Sequence, residues 1–250
     1  MATTHAARGA GQPDGDLDTP VIDPRVVRHD VVPVGALDDD LDDDLDEELA
    51  GPPVDDPSDG VRRLAGWLVV AGALGLAAAF TLTVDKIRLL TDPAFQPSCN
   101  LSPIVNCGNV MRTDQAVVFG FPNSLIGVGA FAVLAAIGAA LLAGARVRPW
   151  FWAGLEAGTL FGLVFVHWLA FQSMFRIGSL CPWCMVVWAV VIPTFVSVTA
   201  YTTRTGQFGT RLVPVGRWLR AHQVEVLLVW ALVFVATAGV RFWDYWQTLV

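Results

Sequence analysis

The chain has 250 residues, of which 54% are hydrophobic and only 16% charged, with a mean hydropathy of +0.53. That balance excludes an ordinary water-soluble domain and points to a membrane protein, with no nucleic acid expected among its partners. The net charge of -7 conceals two regions of opposite sign: residues 1–60 hold 17 acidic and 3 basic residues, whereas residues 61–250 hold 6 acidic and 13 basic.

The first 60 residues are rich in Asp, Pro and Gly, and in the run Asp38 to Glu48 only Leu41 and Leu45 interrupt the acidic side chains. Such a segment cannot bury enough apolar surface to fold and is expected to be a disordered acidic cytoplasmic tail. Its leucine spacing leaves open a short motif that docks a partner. A basic start, a short apolar run and a small-residue cleavage site are all missing from it, so the first apolar segment is expected to be an uncleaved span.

Residues 61–250 read as a five-helix transmembrane domain, because five stretches supply the roughly 20 apolar residues that a hydrocarbon core about 30 Å thick requires. They cover about Leu64 to Val84, Pro122 to Ala145, Phe151 to Phe175 with Glu156 near one end, Pro182 to Thr203, and Gln223 to Val240. Arg62, Arg63, Arg146, Arg148, Arg204, Arg211, Arg217 and Arg220 fall on one side. Lys86, Arg88, Arg112, Arg176 and Arg241 fall on the other. The excess of basic residues on the first side puts the N-terminus in the cytoplasm. The segment between the first two spans, the turn before the fourth and the C-terminus then lie outside.

All four cysteines consequently share the outer face. Cys181-Pro182-Trp183-Cys184 opens the fourth span. A Cys-x-x-Cys at a helix start is the spacing of a redox-active dithiol, since the positive end of the helix dipole lowers the pKa of the first thiol. Pro182 suits the first turn, where no N–H is needed. Cys99 and Cys107 sit in an outer loop, Asp85 to Phe121, and on their own read first as a structural disulfide. An oxidising exterior is where paired thiols cycle, which favours a redox role for both pairs. A four-thiolate zinc site is the other use of these ligands, but the seven residues between Cys99 and Cys107 fit zinc knuckles poorly. No metal is therefore expected. Gly154, Gly158 and Gly162, four apart on the third span, suggest close approach of a neighbouring helix. Trp150, Trp152 and Trp243 at span ends suggest interfacial anchors.

The order of these features resembles the vitamin K epoxide reductase family in its bacterial branch. The residues that carry the resemblance are the loop from Cys99 to Val110, the segment Phe121-Pro122-Asn123-Ser124-Leu125-Ile126-Gly127, and Cys181-Pro182-Trp183-Cys184. The likeness extends over about residues 62–243. It implies an all-α fold: a four-helix transmembrane bundle around a quinone, a short helix at about Gly108 to Thr113 capping the outer end, and a fifth transmembrane helix outside. It also implies the activity of a quinone-dependent thiol-disulfide oxidoreductase in the bacterial inner membrane. The partner implied is a secreted or membrane-anchored thioredoxin-fold protein, DsbA-like, and the oxidant is membrane quinone, menaquinone or ubiquinone. Many relatives carry a fused thioredoxin-like domain after the fifth span, which this sequence does not include, so the partner is expected to be a separate protein.

On that resemblance Cys99 and Cys107 exchange with the partner and then with Cys181 and Cys184, and Cys184, almost a turn deeper, delivers electrons to the quinone. Asn123 matches the family's quinone-contacting Asn, although an Asn after Pro122 also suits a helix cap. His167 and Phe171 share a helix face near the outer end and are further candidates for quinone contact, as are Ser124 and Trp188. Trp188 stands where the animal enzymes have Tyr, which favours quinone reduction over epoxide reduction. A reductase of vitamin K epoxide or quinone and a non-enzymatic scaffold with structural disulfides are the alternatives.

Overall fold

The structure, a computed structural model, describes residues 57–247. Of the tail expected over residues 1–60, positions 1–56 lie outside the described residues. The rest is already helical, because α1 covers Pro57–Thr91.

At 1.5 Å per residue, α1 is about 52 Å long. It outreaches a hydrocarbon core of about 30 Å at both ends. Its outer end therefore projects beyond the expected limit of Val84, and the outer loop is correspondingly shorter than Asp85 to Phe121. Small and branched residues at helical spacing, Leu64, Leu68, Ala71, Ala78 and Leu82, form its buried face. That face packs most extensively against α3, Asn123–Leu142. A Cβ at Gly138 would lie 2.7 Å from the Ala65 carbonyl oxygen, and one at Gly72 would lie 2.6 Å from the Ala135 nitrogen. Glycine is thus required for the two backbones to approach so closely.

Two further long helices complete the bundle. α4 covers Pro149–Phe171, with Pro149 in its first turn, and continues through a wider π-type turn, Gln172–Ile177, that ends at Gly178 with φ +70°. α5 covers Pro182–Arg204 and packs against both α1 and α4. Inside the bundle the Trp67 indole donates to Thr194 (3.1 Å), and Thr199 and Thr202 donate to the Glu156 carboxylate (2.5 and 3.2 Å). The last pair satisfies the acidic side chain that the third span carries through the apolar region. Trp152, expected as an interfacial anchor, is instead buried against Tyr201 at 4.7 Å between ring centroids.

Two elements lie outside the four-helix core. α6, Val213–Ala221, is a short helix that no sequence pattern announced; it packs against α5, with Gly216 against the Arg204 backbone. α7, Gln223–Arg241, is the fifth span and places Leu227, Trp230, Phe234 and Ala238 against the bundle. Val224, Leu228, Leu232 and Val235 on its other side are each more than 60% exposed. Among the described residues, five helices are long and apolar enough to cross a membrane. With so many large apolar side chains outward, the protein is a multi-pass, all-helical membrane protein.

Candidate active site

The end of the bundle that carries the cysteines is organised by a single parallel bridge between two loops, the one such bridge among the described residues. The Leu180 N–H donates to the Ile104 carbonyl (2.7 Å) and the Asn106 N–H donates to the Leu180 carbonyl (2.9 Å). Cys107 and Cys181 each follow immediately after a paired segment, so the pairing brings them together. Side chains hold both loops in place. Asn106 caps the short helix α2, Cys107–Met111, by accepting from the Asn109 N–H (2.8 Å), and Asn100 accepts from the Gly108 N–H (2.9 Å). Asn109 donates to Ser179 (3.1 Å), and Ser173 donates to the Ser179 carbonyl. The short helix thus begins one residue before the expected Gly108 and ends at Met111.

The sulfurs that result are in sequence. Cys99 and Cys107 form a disulfide, whereas Cys181 and Cys184 are free thiols. Cys181 Sγ lies 3.2 Å from Cys107 Sγ, and both residues are fully buried. Cys181 is the N-cap of α5 and Pro182 its first residue. The Cys181 thiol is held below the ordinary cysteine range, chiefly by the hydrogen bond from the Cys184 thiol. Burial opposes that shift, the N–H groups of Cys184 and Trp183 reinforce it, and the charge of Asp85 opposes it. Leu82, Leu89 and Met111 pack around the disulfide and Cys181 and shield them from water.

Cys184 faces a cavity of about 540 Å³ lined by α1, α3, α4 and α5. The walls are mainly apolar, and Lys86, Asn123, Ser124, Gln172 and Ser173 add polar groups at the end nearest the cysteines. This size and lining suit a flat organic molecule with a few oxygen atoms. The Gln172 Oε1 is buried with no partner among the described residues, so the cavity wall holds a polar atom still to be satisfied.

The candidate contacts separate into two groups. Asn123, Ser124 and Trp188 line the cavity beside Cys184. Asn123 opens α3 without capping it: its amide donates to the Gln115 carbonyl (2.7 Å) and accepts from the Val118 N–H (3.2 Å), which fastens the loop that roofs the cavity. Thr83 donates to Ser124 (2.9 Å). His167 and Phe171 are absent from the lining. His167 is turned towards α7, where its Nε2 accepts from the Trp230 indole (2.9 Å), so Nδ1 carries the proton and donates to the Leu163 carbonyl (2.8 Å). Phe171 is half exposed, its ring tilted against that of Phe175 at 5.0 Å between centroids. The glycine stripe also differs from expectation. Gly154 and Gly158 have open space where a Cβ would be, and with Gly162 they line the cavity.

Lys86, Gln172 and Ser173 were not singled out from the sequence. The signal available for Lys86 is that Asp85 and Lys86 are the first charges after the apolar run of α1. The sequence model of the vitamin K epoxide reductase family matches residues 66–199, a stretch that contains all four cysteines and nearly all of the four cavity-forming helices. A comparison with curated protein sequences finds no match.

Proposed function

Because the chain belongs to the vitamin K epoxide reductase family and is therefore a membrane redox protein, we propose that it is a thiol:quinone oxidoreductase supporting disulfide bond formation. In this reading it reoxidises a separate DsbA-like thioredoxin-fold protein and passes the electrons to menaquinone or ubiquinone. It sits in the bacterial inner membrane with its N-terminus in the cytoplasm and its cysteines outside. The observation that carries the proposal is the unbroken succession of sulfurs from the rim to the cavity: Cys99 bonded to Cys107, Cys107 against Cys181, and Cys184 on the cavity wall.

The relay balances step by step. A partner dithiol reduces the Cys99–Cys107 disulfide and becomes a disulfide itself. The Cys107 thiolate then attacks Cys181 of an oxidised inner pair; the Cys107–Cys181 bond forms, the Cys181–Cys184 bond breaks, and Cys184 leaves with the electron pair. Cys99 attacks Cys107 and releases Cys181. The outcome is a loop disulfide beside two inner thiols, the arrangement found in the structure.

A quinone, when bound, supplies the capacity to accept two electrons and two protons. The cavity's residues fit such a group: Cys184 is the thiol that faces it, Asn123, Ser124 and Lys86 provide hydrogen-bond donors, and Trp188 closes a wall. The glycine stripe on α4 leaves room for a ring. The test is quinone reduction by the purified protein with a reduced thioredoxin-fold partner. Cys184→Ser should fold normally and lose about 10³-fold or more in turnover. Normal turnover in that variant, or no quinone reduction by the unmodified protein, would leave the structural-disulfide alternative in its place.

A further inference from the structure

Asp85 has no part in the relay, yet it lies on the face of α1 whose leucines pack around the reacting sulfurs. It sits on α1 between Leu82 and Leu89, three residues after one and four before the other, so it shares the face that packs around Cys99, Cys107, Met111 and Cys181. The residue is 6% exposed, and its Oδ2 has no hydrogen-bond partner among the described residues. The neighbouring cations are directed elsewhere. Lys86 donates to the Met111 carbonyl (2.6 Å), Arg112 to the Pro93 carbonyl (2.9 Å), and Arg88 lies over the Phe95 ring. A carboxylate enclosed without a partner is costly to keep. Hydrophobic packing alone would be better served by leucine at this position. Among the cysteines packed against that face, Cys181 is near enough to feel the charge of Asp85.

We propose that Asp85 is the proton carrier of the sulfur relay, transferring the proton of the attacking thiol to the sulfur that leaves at the Cys107–Cys181 junction. The inference rests on the relay reading of the previous subsection. In the direction that starts from the structure, Asp85 takes the proton of the Cys181 thiol. The thiolate attacks Cys107, the Cys107–Cys181 bond forms, and the Cys99–Cys107 bond breaks. Its electron pair leaves on Cys99, which then receives the proton from Asp85. The physiological direction is the reverse. One proton moves from thiol to thiol, the number of disulfides is unchanged, and no external acid or base is required in a site closed to water.

The exchange can be isolated in a Cys184→Ala background without quinone or partner. There, attack of Cys181 on the loop disulfide frees Cys99, which an alkylating reagent at rate-saturating concentration traps. Mass spectrometry identifies the Cys107–Cys181 disulfide, and the rate is followed from about pH 5 to about pH 8. With Asp85 present the rate should change by less than about threefold over this range. Asp85→Asn should make it fall by about tenfold per pH unit below the ionisation of Cys181, because only preformed thiolate then reacts. Asp85→Glu should restore the shallow profile, an effect that a purely structural role does not produce. If Asp85→Asn does not fold, Asp85→Ser supplies the neutral comparison. Superimposable profiles with and without the carboxylate would overturn the proposal while leaving the relay intact. No Cys107–Cys181 disulfide in the parent at any pH would overturn the relay and the proposal together.

Discussion

Two sets of glycines in this bundle do opposite things. Gly72 and Gly138, at the contact of α1 and α3, are places where a Cβ would collide with backbone of the neighbouring helix. Gly154 and Gly158, on α4, look onto open space and the cavity. In a membrane, helices gain little from leaving lipid, so close packing and dispersion hold them together where the backbones approach. The first set supplies that approach. The second withholds side chains so that a void can persist within a helical bundle. The same residue therefore serves cohesion on one side of the molecule and vacancy on the other, and the difference lies in which partner each face meets.

Substitutions of similar size should separate the two roles. Gly138→Val forces a branched side chain onto the Ala65 carbonyl and the Val69 nitrogen, neither of which yields without moving α1. It is expected to destabilise the protein by about 3 kcal/mol or more, seen as a lower unfolding temperature and poor recovery of folded protein. Gly158→Leu should leave the unfolding temperature nearly unchanged. The new side chain enters the cavity, so the KM for quinone should rise by about tenfold while the loop disulfide still exchanges with the inner thiols. Equal destabilisation by both variants would remove the distinction.

The contrast also marks where sequence reasoning is strong. Spans are legible because twenty apolar residues in a row have few other uses, and the pairing of the cysteines is legible because their spacing is local. The four-residue glycine repeat on α4 is as visible as the cysteines, but periodicity identifies a face without identifying its neighbour. His167 illustrates the same limit: Val166 and Leu169, adjacent on the helix, turn towards the core and the cavity, whereas a rotation of about 100° per residue carries His167 to the α7 side. The bridge between Ile104 to Asn106 and Leu180, which sets the sulfur contact, joins segments more than 70 residues apart and leaves no local pattern. α1 runs past Val84 because its outer turns pack on the cysteine loop through Leu89, a tertiary contact that hydropathy does not record.

A smaller effect separates the two cysteines of the inner pair. The largest cause holding the Cys181 thiol below its ordinary range is the hydrogen bond from Cys184. With the loop disulfide intact, Cys184→Ala should therefore move the ultraviolet thiolate titration of Cys181 to higher pH. The sign follows from linkage. A depressed thiol pKa contributes stability that is fully present above the unfolded-state value and is lost as pH falls through the folded-state value. In the variant that contribution should shrink, so stability should rise less steeply with pH across the thiol range than it does in the parent. An unchanged titration would mean that the helix start and its N–H groups alone set the Cys181 thiol.

The smallest effect is expected at the seam between the bundle and the fifth span. Trp230→Phe keeps the aromatic packing against Phe234 but removes the N–H that Trp230 donates to His167. One intramembrane hydrogen bond of this kind contributes about 0.6 kcal/mol, and the freed His167 Nε2 faces the outer side of the bundle. The unfolding temperature should therefore fall slightly. Quinone reduction should stay within about twofold of the parent, because neither residue lines the cavity. Had His167 been a proton donor to the quinone, loosening its ring would slow turnover far more than it lowers stability. The ratio of these two effects thus measures whether the face of α4 towards α7 is a dock for the fifth helix, as the Trp230 contact implies, or a second wall of the catalytic chamber.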